Sequence, residues 1–113
     1  MKNSVSTSPG RAPSRLSTEA RALWRSIVEQ YNLDDPAGLA ILATTCEALD
    51  RMREAQRTIK RDGATVLDRF KQPKIHPATL LERDSRAAVL AGLKALNLDL
   101  EPLRDRIGRP AGS

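Results

Sequence analysis

Pro36 opens a stretch that, after Gly38 in its first turn, meets no further glycine or proline until Gly63, and this run limits the possible folds more than any other feature of the chain. Asp34 or Asp35 stands ready as N-cap, and Pro36 suits the first helical position, where its missing N–H leaves no intrahelical bond unmade. About 27 uninterrupted residues give a helix about 40 Å long. In a chain of 113 residues every other element must be arranged along that rod.

The apolar stripe of this helix changes side along its length. Leu39, Leu42, Cys46 and Leu49 recur at steps of three and four, but the same side continued reaches Arg53, Arg57, Lys60 and Arg61. Beyond Leu49 the apolar residues lie on a neighbouring side, at Met52, Ala55 and Ile59, continuing from Ile41. The first half therefore presents a wide apolar surface, and the second half a narrow one beside a basic ridge.

A shorter helix precedes the rod. Ser17 is a good N-cap with Glu19 in the first turn, and Ala20, Leu23, Trp24, Ile27, Val28 and Tyr31 form one stripe before Asn32, which tolerates the left-handed conformation that ends a helix. After Gly63, Ala64–Leu67 and Lys74–His76 read as two short extended runs around a polar, proline-containing link, hence a β-hairpin, although no Asn-Gly or Asp-Gly turn marks it. Pro77 then starts a third helix that reaches about Leu96 and closes at Asn97, and a short fourth segment begins near Asp99 or Glu101. His76, the only histidine, is placed before a proline, where the extended conformation is favoured. It reads as a hinge between strand and helix.

The third helix carries Ala87, Ala88, Val89, Leu90, Ala91, Leu93, Ala95 and Leu96 on nearly every face. A helix apolar all round is expected to be buried all round. A single small chain cannot provide that and also cover the rod, so another subunit is the simplest cover. Ala87, Leu90, Ala91, Leu93 and Leu96 are the expected oligomer-interface residues.

Catalysis and metal binding find little to work with. One His and one Cys stand alone, no phosphate-binding GxxxxGK[ST] loop is present, and Glu82 and Asp84, two residues apart, point to different sides of their helix. No catalytic residue, metal ligand or cofactor is expected. Cys46 reads as a small buried hydrophobe. No apolar run is long enough for a membrane span, and no signal-peptide core is seen at the N-terminus, so the expected place is the cytoplasm.

Charge is informative by segment. Residues 17–50 hold two basic and six acidic side chains, net −4, whereas 51–74 hold eight basic and three acidic, net +5. The first sixteen residues add Lys2, Arg11 and Arg15 with no acid. A basic middle suits a polyanion, and Arg53, Arg57, Lys60, Arg61, Arg69, Lys71 and Lys74 are the residues expected to bind it. Three aromatic residues, Trp24, Tyr31 and Phe70, are too few for single strands held by base stacking, so of nucleic acids a duplex such as double-stranded DNA is the form that would suit this chain.

From about Leu16 to Gly108 the pattern resembles the phage terminase small subunits, in their compact branch. The resemblance is carried by Trp24, Ile27, Tyr31 and Leu33 in the first helix; by Ile59 and Gly63 closing the long one; by His76-Pro77-Ala78 followed by Glu82 and Asp84; and by Leu93, Leu96, Asn97, Leu98, Pro102, Arg106 and Gly108. Asn97 departs from the glycine usual in the family, but asparagine also accepts the left-handed cap. The resemblance implies a mainly α fold: a helical hairpin with one long helix, a short β-hairpin and a further long helix, assembled into a homo-oligomeric ring. It implies binding of viral DNA in the host cytoplasm and its delivery to a large terminase subunit that holds the ATPase and nuclease. The expected organisation is a disordered basic tail over 1–15, a single helical domain over 16–108 and a flexible end over 109–113. Fifteen residues before the first helix are too few for a separate helix-turn-helix domain. The competing expectation is a small helical adaptor that binds only protein.

Overall fold

A computed structural model describes residues 11–98 of the chain. Helix α1 spans Thr18–Tyr31, α2 Pro36–Asp62 and α3 Pro77–Ala95, with strands β1, Thr65–Leu67, and β2, Pro73–Ile75, between α2 and α3.

Each helix start is fixed by a side chain that satisfies an otherwise unpaired amide. Ser17 Oγ accepts from the Ala20 N–H at 3.0 Å, and Asp35 Oδ2 from the Gly38 N–H at 2.8 Å. At α3 the cap is His76, whose Nδ1 accepts from the Ala78 N–H at 2.9 Å. Its Nε2 then carries the proton and donates to Asp62 Oδ2 at 3.0 Å. His76 is thus the expected hinge, with an added role: one imidazole ties the last residue of α2 to the first turn of α3. Asn32 at φ 51° and Gly63 at φ 91° end α1 and α2 in the left-handed region, and Asn97 at φ 52° follows α3.

Both partner helices run antiparallel to α2. α1 covers its first half: the Ser17 backbone N–H donates to Asp50 at 2.9 Å, Arg53 reaches Glu19, and beyond the far end of α1 Leu33 abuts Gly38. α3 returns along most of the rod, from the His76–Asp62 contact through Gln56 and Glu82 to Gly92 against Thr45. The core lies where the three helices meet, with Leu16, Ala20, Trp24 and Ile27 facing Leu42, Cys46, Ala48, Leu49 and Met52, and Val89 joining from α3. Burial pushes the Cys46 thiol up to about 11, with Asp50 and Glu47 adding to the shift. It behaves as an inert hydrophobe.

Three expectations are revised. α3 is not buried all round: Ala78, Ser85 and Val89 are its buried residues, while Ala87, Ala88, Leu90, Ala91 and Ala95 stay exposed. Nor is the second half of the rod left bare, because α3 buries Met52 and Ala55. Pro73 belongs to β2 rather than to the link. Of the expected tail over 1–15, the part from Arg11 is described, and it lies against the fold: Ala12 packs on the core and Arg15 pairs with Glu47. The expected fourth segment from Asp99 falls outside the described residues.

The α2–α3 crossing is closest at Gly92, where a Cβ would overlap the Thr45 hydroxyl and lie 3.0 Å from its Cβ. Gly92→Ala should therefore destabilise by about 1–3 kcal/mol through overpacking, despite the better helix propensity of alanine. In a Thr45→Ala background the same change should cost less, and a double-mutant cycle by urea denaturation measures the coupling. Additive costs would show that the two residues do not meet.

Asp62 yields a pH prediction. Hydrogen bonds from Arg61 and then His76 hold its carboxyl at about 2, below the ordinary 3.8. A depressed folded pKa contributes stability that is present above the unfolded pKa and is lost as pH falls toward the folded one. Between about pH 4 and 2, Asp62→Asn should lose less stability than the unaltered chain; parallel losses would contradict the pairing.

Candidate nucleic-acid interface

The change of face along α2 has a structural cause. Leu42, Cys46 and Leu49 lie in the core beneath α1, but α1 begins at Thr18, level with Arg53. Past that point the same side of α2 has no helix over it, and its residues become Arg57, Lys60 and Arg61.

The four cations of this ridge are not equivalent. Arg53 Nε lies 3.1 Å from both carboxylate oxygens of Glu19, and its Nη1 donates to Gln56 Oε1 at 2.9 Å. Gln56 in turn donates to Glu82 at 3.0 Å, which also pairs with Arg86, so α1, α2 and α3 are joined by one polar chain. The Glu19 carboxylate holds Arg53 more firmly in its charged form, and the bonds from Gln56 and Arg86 hold the Glu82 carboxyl below its ordinary value. Arg61 donates to the neighbouring Asp62 at 2.8 Å. Among the described residues Arg57 and Lys60 have no carboxylate partner and are exposed. These two are the cations of the ridge most available to an outside anion.

The hairpin tip adds a second basic group on an ordered turn. Asp68 Oδ1 accepts from the backbone N–H groups of Phe70, at 2.8 Å, and Gln72, at 2.9 Å. The Lys71 N–H donates to the Asp68 carbonyl at 2.8 Å, and Lys71 itself sits at φ 63°. This aspartate supplies the turn chemistry that the missing Asn-Gly would have provided. Outside it project Arg69, whose guanidinium lies 5.2 Å from the centre of the Phe70 ring, and Lys71, with Lys74 on β2. None of the three is in an ion pair among the described residues.

The expected oligomer residues divide into two groups. Leu93 and Leu96 are half-buried against the chain's own core. Ala87, Leu90 and Ala91 are exposed, Leu90 at 61%. No group of three or more His, Cys, Asp or Glu side chains suited to a metal ion occurs among the described residues, and no described helix is long and apolar enough to cross a membrane.

Three features of the site were not foreseen. The commitment of Arg53 to Glu19 depends on how α1 is set against α2, which no local pattern encodes. The Arg61–Asp62 pair and the Asp68 turn did leave local signals, an adjacent opposite charge and an aspartate just after a β-run.

No curated protein and no solved structure matches the chain. Residues 20–107 match the family described as phage terminase, small subunit, a span that takes in α1 from its third residue, α2, the hairpin, α3 and the whole basic ridge. The chain belongs to the phage terminase small-subunit family, and its role is in phage DNA packaging.

Proposed function

We propose that this protein binds duplex viral DNA through Arg57 and Lys60 on α2 and Arg69, Lys71 and Lys74 on the hairpin, and presents it, as a homo-oligomeric ring in the host cytoplasm, to the large terminase subunit. The observation that carries the reading is the uncovered side of α2 beyond Arg53, where unpaired cations continue onto the hairpin. Arg53 and Arg61 frame this surface but are already engaged by Glu19 and Asp62. The ring multiplies the surface: contacts that are weak in one subunit act together when several subunits meet one duplex. Ala87, Leu90 and Ala91 are left outward on α3 and serve the contact between subunits. Catalysis belongs to the large subunit, and this chain contributes positioning.

Phosphate contacts release condensed counterions, so affinity should fall with salt at a log–log slope of about −0.9 per phosphate neutralised. Arg57→Ala with Lys60→Ala should weaken binding to unrelated duplexes alike and flatten the slope by about 0.9 for each phosphate no longer neutralised, since phosphate contacts position a protein without reading bases. Arg53→Ala should change the slope much less, its guanidinium being committed to Glu19. Fluorescence anisotropy over a salt series provides the comparison, with a chain lacking residues 1–15 alongside. If only the truncation flattens the slope, DNA binding belongs to the tail; if the unaltered chain binds no duplex, the protein-only adaptor is the better reading.

A further inference from the structure

The hairpin presents an apolar face that the chain does not cover. Cross-strand pairing sets Thr65 opposite Ile75 and Leu67 opposite Pro73, so these four share one face, with Val66 and Lys74 on the other. Leu67 is 64% exposed and Ile75 62%, and Thr65 and Pro73 are exposed as well. Two strands alone are marginally stable in water, and exposed apolar strands invite pairing. Leu80, 48% exposed in the first turns of α3, adds apolar area at the same end of the molecule.

A second uncovered apolar surface lies toward the other end of α2. Ala40, Ile41, Thr44, Ala88, Ala91 and Gly92 line an open groove between α2 and α3. It lies away from α1: Leu42 is in the core, and Thr44 stands about 200° further round the same helix. The floor is shallow because Gly92 lets the helices approach closely at Thr45.

The two surfaces differ in charge as they differ in place. The hairpin end carries Arg57, Lys60, Arg69, Lys71 and Lys74, whereas the groove is lined by uncharged residues, with Asp34 and Asp35 before its α2 wall and Lys94 beyond its α3 wall. Hairpin ends therefore repel one another and meet no such repulsion at the groove end, which disfavours a two-fold contact through the hairpins and favours a head-to-tail one. We propose that the apolar face of the hairpin seats in the α2–α3 groove of the next copy of this chain, an assignment that rests on the ring reading above and gives it its contact. A heterologous contact of this kind closes into a ring when its rotation permits. Docking through Leu67 and Ile75 leaves Lys74, on the opposite hairpin face, and Arg69 and Lys71, at the tip, open to DNA.

Cysteine pairing tests the direction of the contact. Ile75→Cys and Thr44→Cys both lie on exposed positions, and the buried Cys46 leaves the background quiet. A chain carrying both substitutions, gently oxidised, should give a ladder of covalent oligomers on non-reducing gels, and mixing the two single variants should give dimers. Each single variant alone should give none. Leu67→Cys, used in place of Ile75→Cys, should reproduce the pattern. Native mass spectrometry of the unaltered chain separates the two readings. Oligomers without the ladder would place the contact elsewhere and overturn this inference while the ring stands, as would dimers from one single variant alone. A monomeric unaltered chain would overturn both readings.

Discussion

The length mismatch between α1 and α2 is the constraint on which the rest depends. α2 is about 40 Å long, and α1, with Leu33 just beyond its end, reaches along it only from the level of Gly38 to that of Arg53. On the covered part the side chains are Leu42, Cys46 and Leu49; on the uncovered part they are Arg57, Lys60 and Arg61. Arg53 sits at the boundary and pairs with Glu19, the first acidic residue of the covering helix. Core packing and exposed cations thus share one side of one helix, divided at a single ion pair. The division is economical because water solvates the cations that α1 leaves exposed, so they carry no desolvation cost of the kind a buried charge would.

α3 completes the arrangement by covering a different side of the rod over most of its length. Its contact faces are small, Ala78, Ser85 and Gly92, which lets it lie close to α2. The outer face of α3 is then left apolar without a neighbour in the same chain, and the hairpin that joins α2 to α3 is left with Leu67 and Ile75 outward. The His76 side chain fixes that hairpin's exit, with its two ring nitrogens holding α3's first turn and α2's last residue. Basic tip, apolar hairpin face and apolar groove are therefore held in a fixed relation along one rod. In the proposed reading, the surface for further copies of the chain and the surface for DNA are distinct.

Much of this was legible in the sequence because it is encoded locally. Ser17, Asp35-Pro36, Gly63 and His76-Pro77 mark helix ends through cap and proline chemistry, and the periodic apolar residues between them set the core face. What could not be read was tertiary. The apolar all-round pattern of α3 suggested burial on all sides, yet alanine is compatible with exposure as well as with close packing, and Ala87, Ala88, Ala91 and Ala95 proved exposed. Likewise Arg53 and Arg57 look alike along the chain, and only the placement of α1 distinguishes a committed guanidinium from an available one. Leu93 and Leu96, grouped with Leu90 by periodicity, turn toward the chain's own core.

The claim that DNA meets the uncovered side of α2 and the hairpin is tested most directly by lysine reactivity with and without bound duplex. The chain has five lysines, Lys2, Lys60, Lys71, Lys74 and Lys94, and mass spectrometry after brief acetylation reads each one separately. Protection of Lys60, Lys71 and Lys74, with Lys94 near the far end of α3 unchanged, is the expected result. Protection confined to Lys2, with Lys60 and the hairpin lysines as reactive as in the free protein, would contradict it.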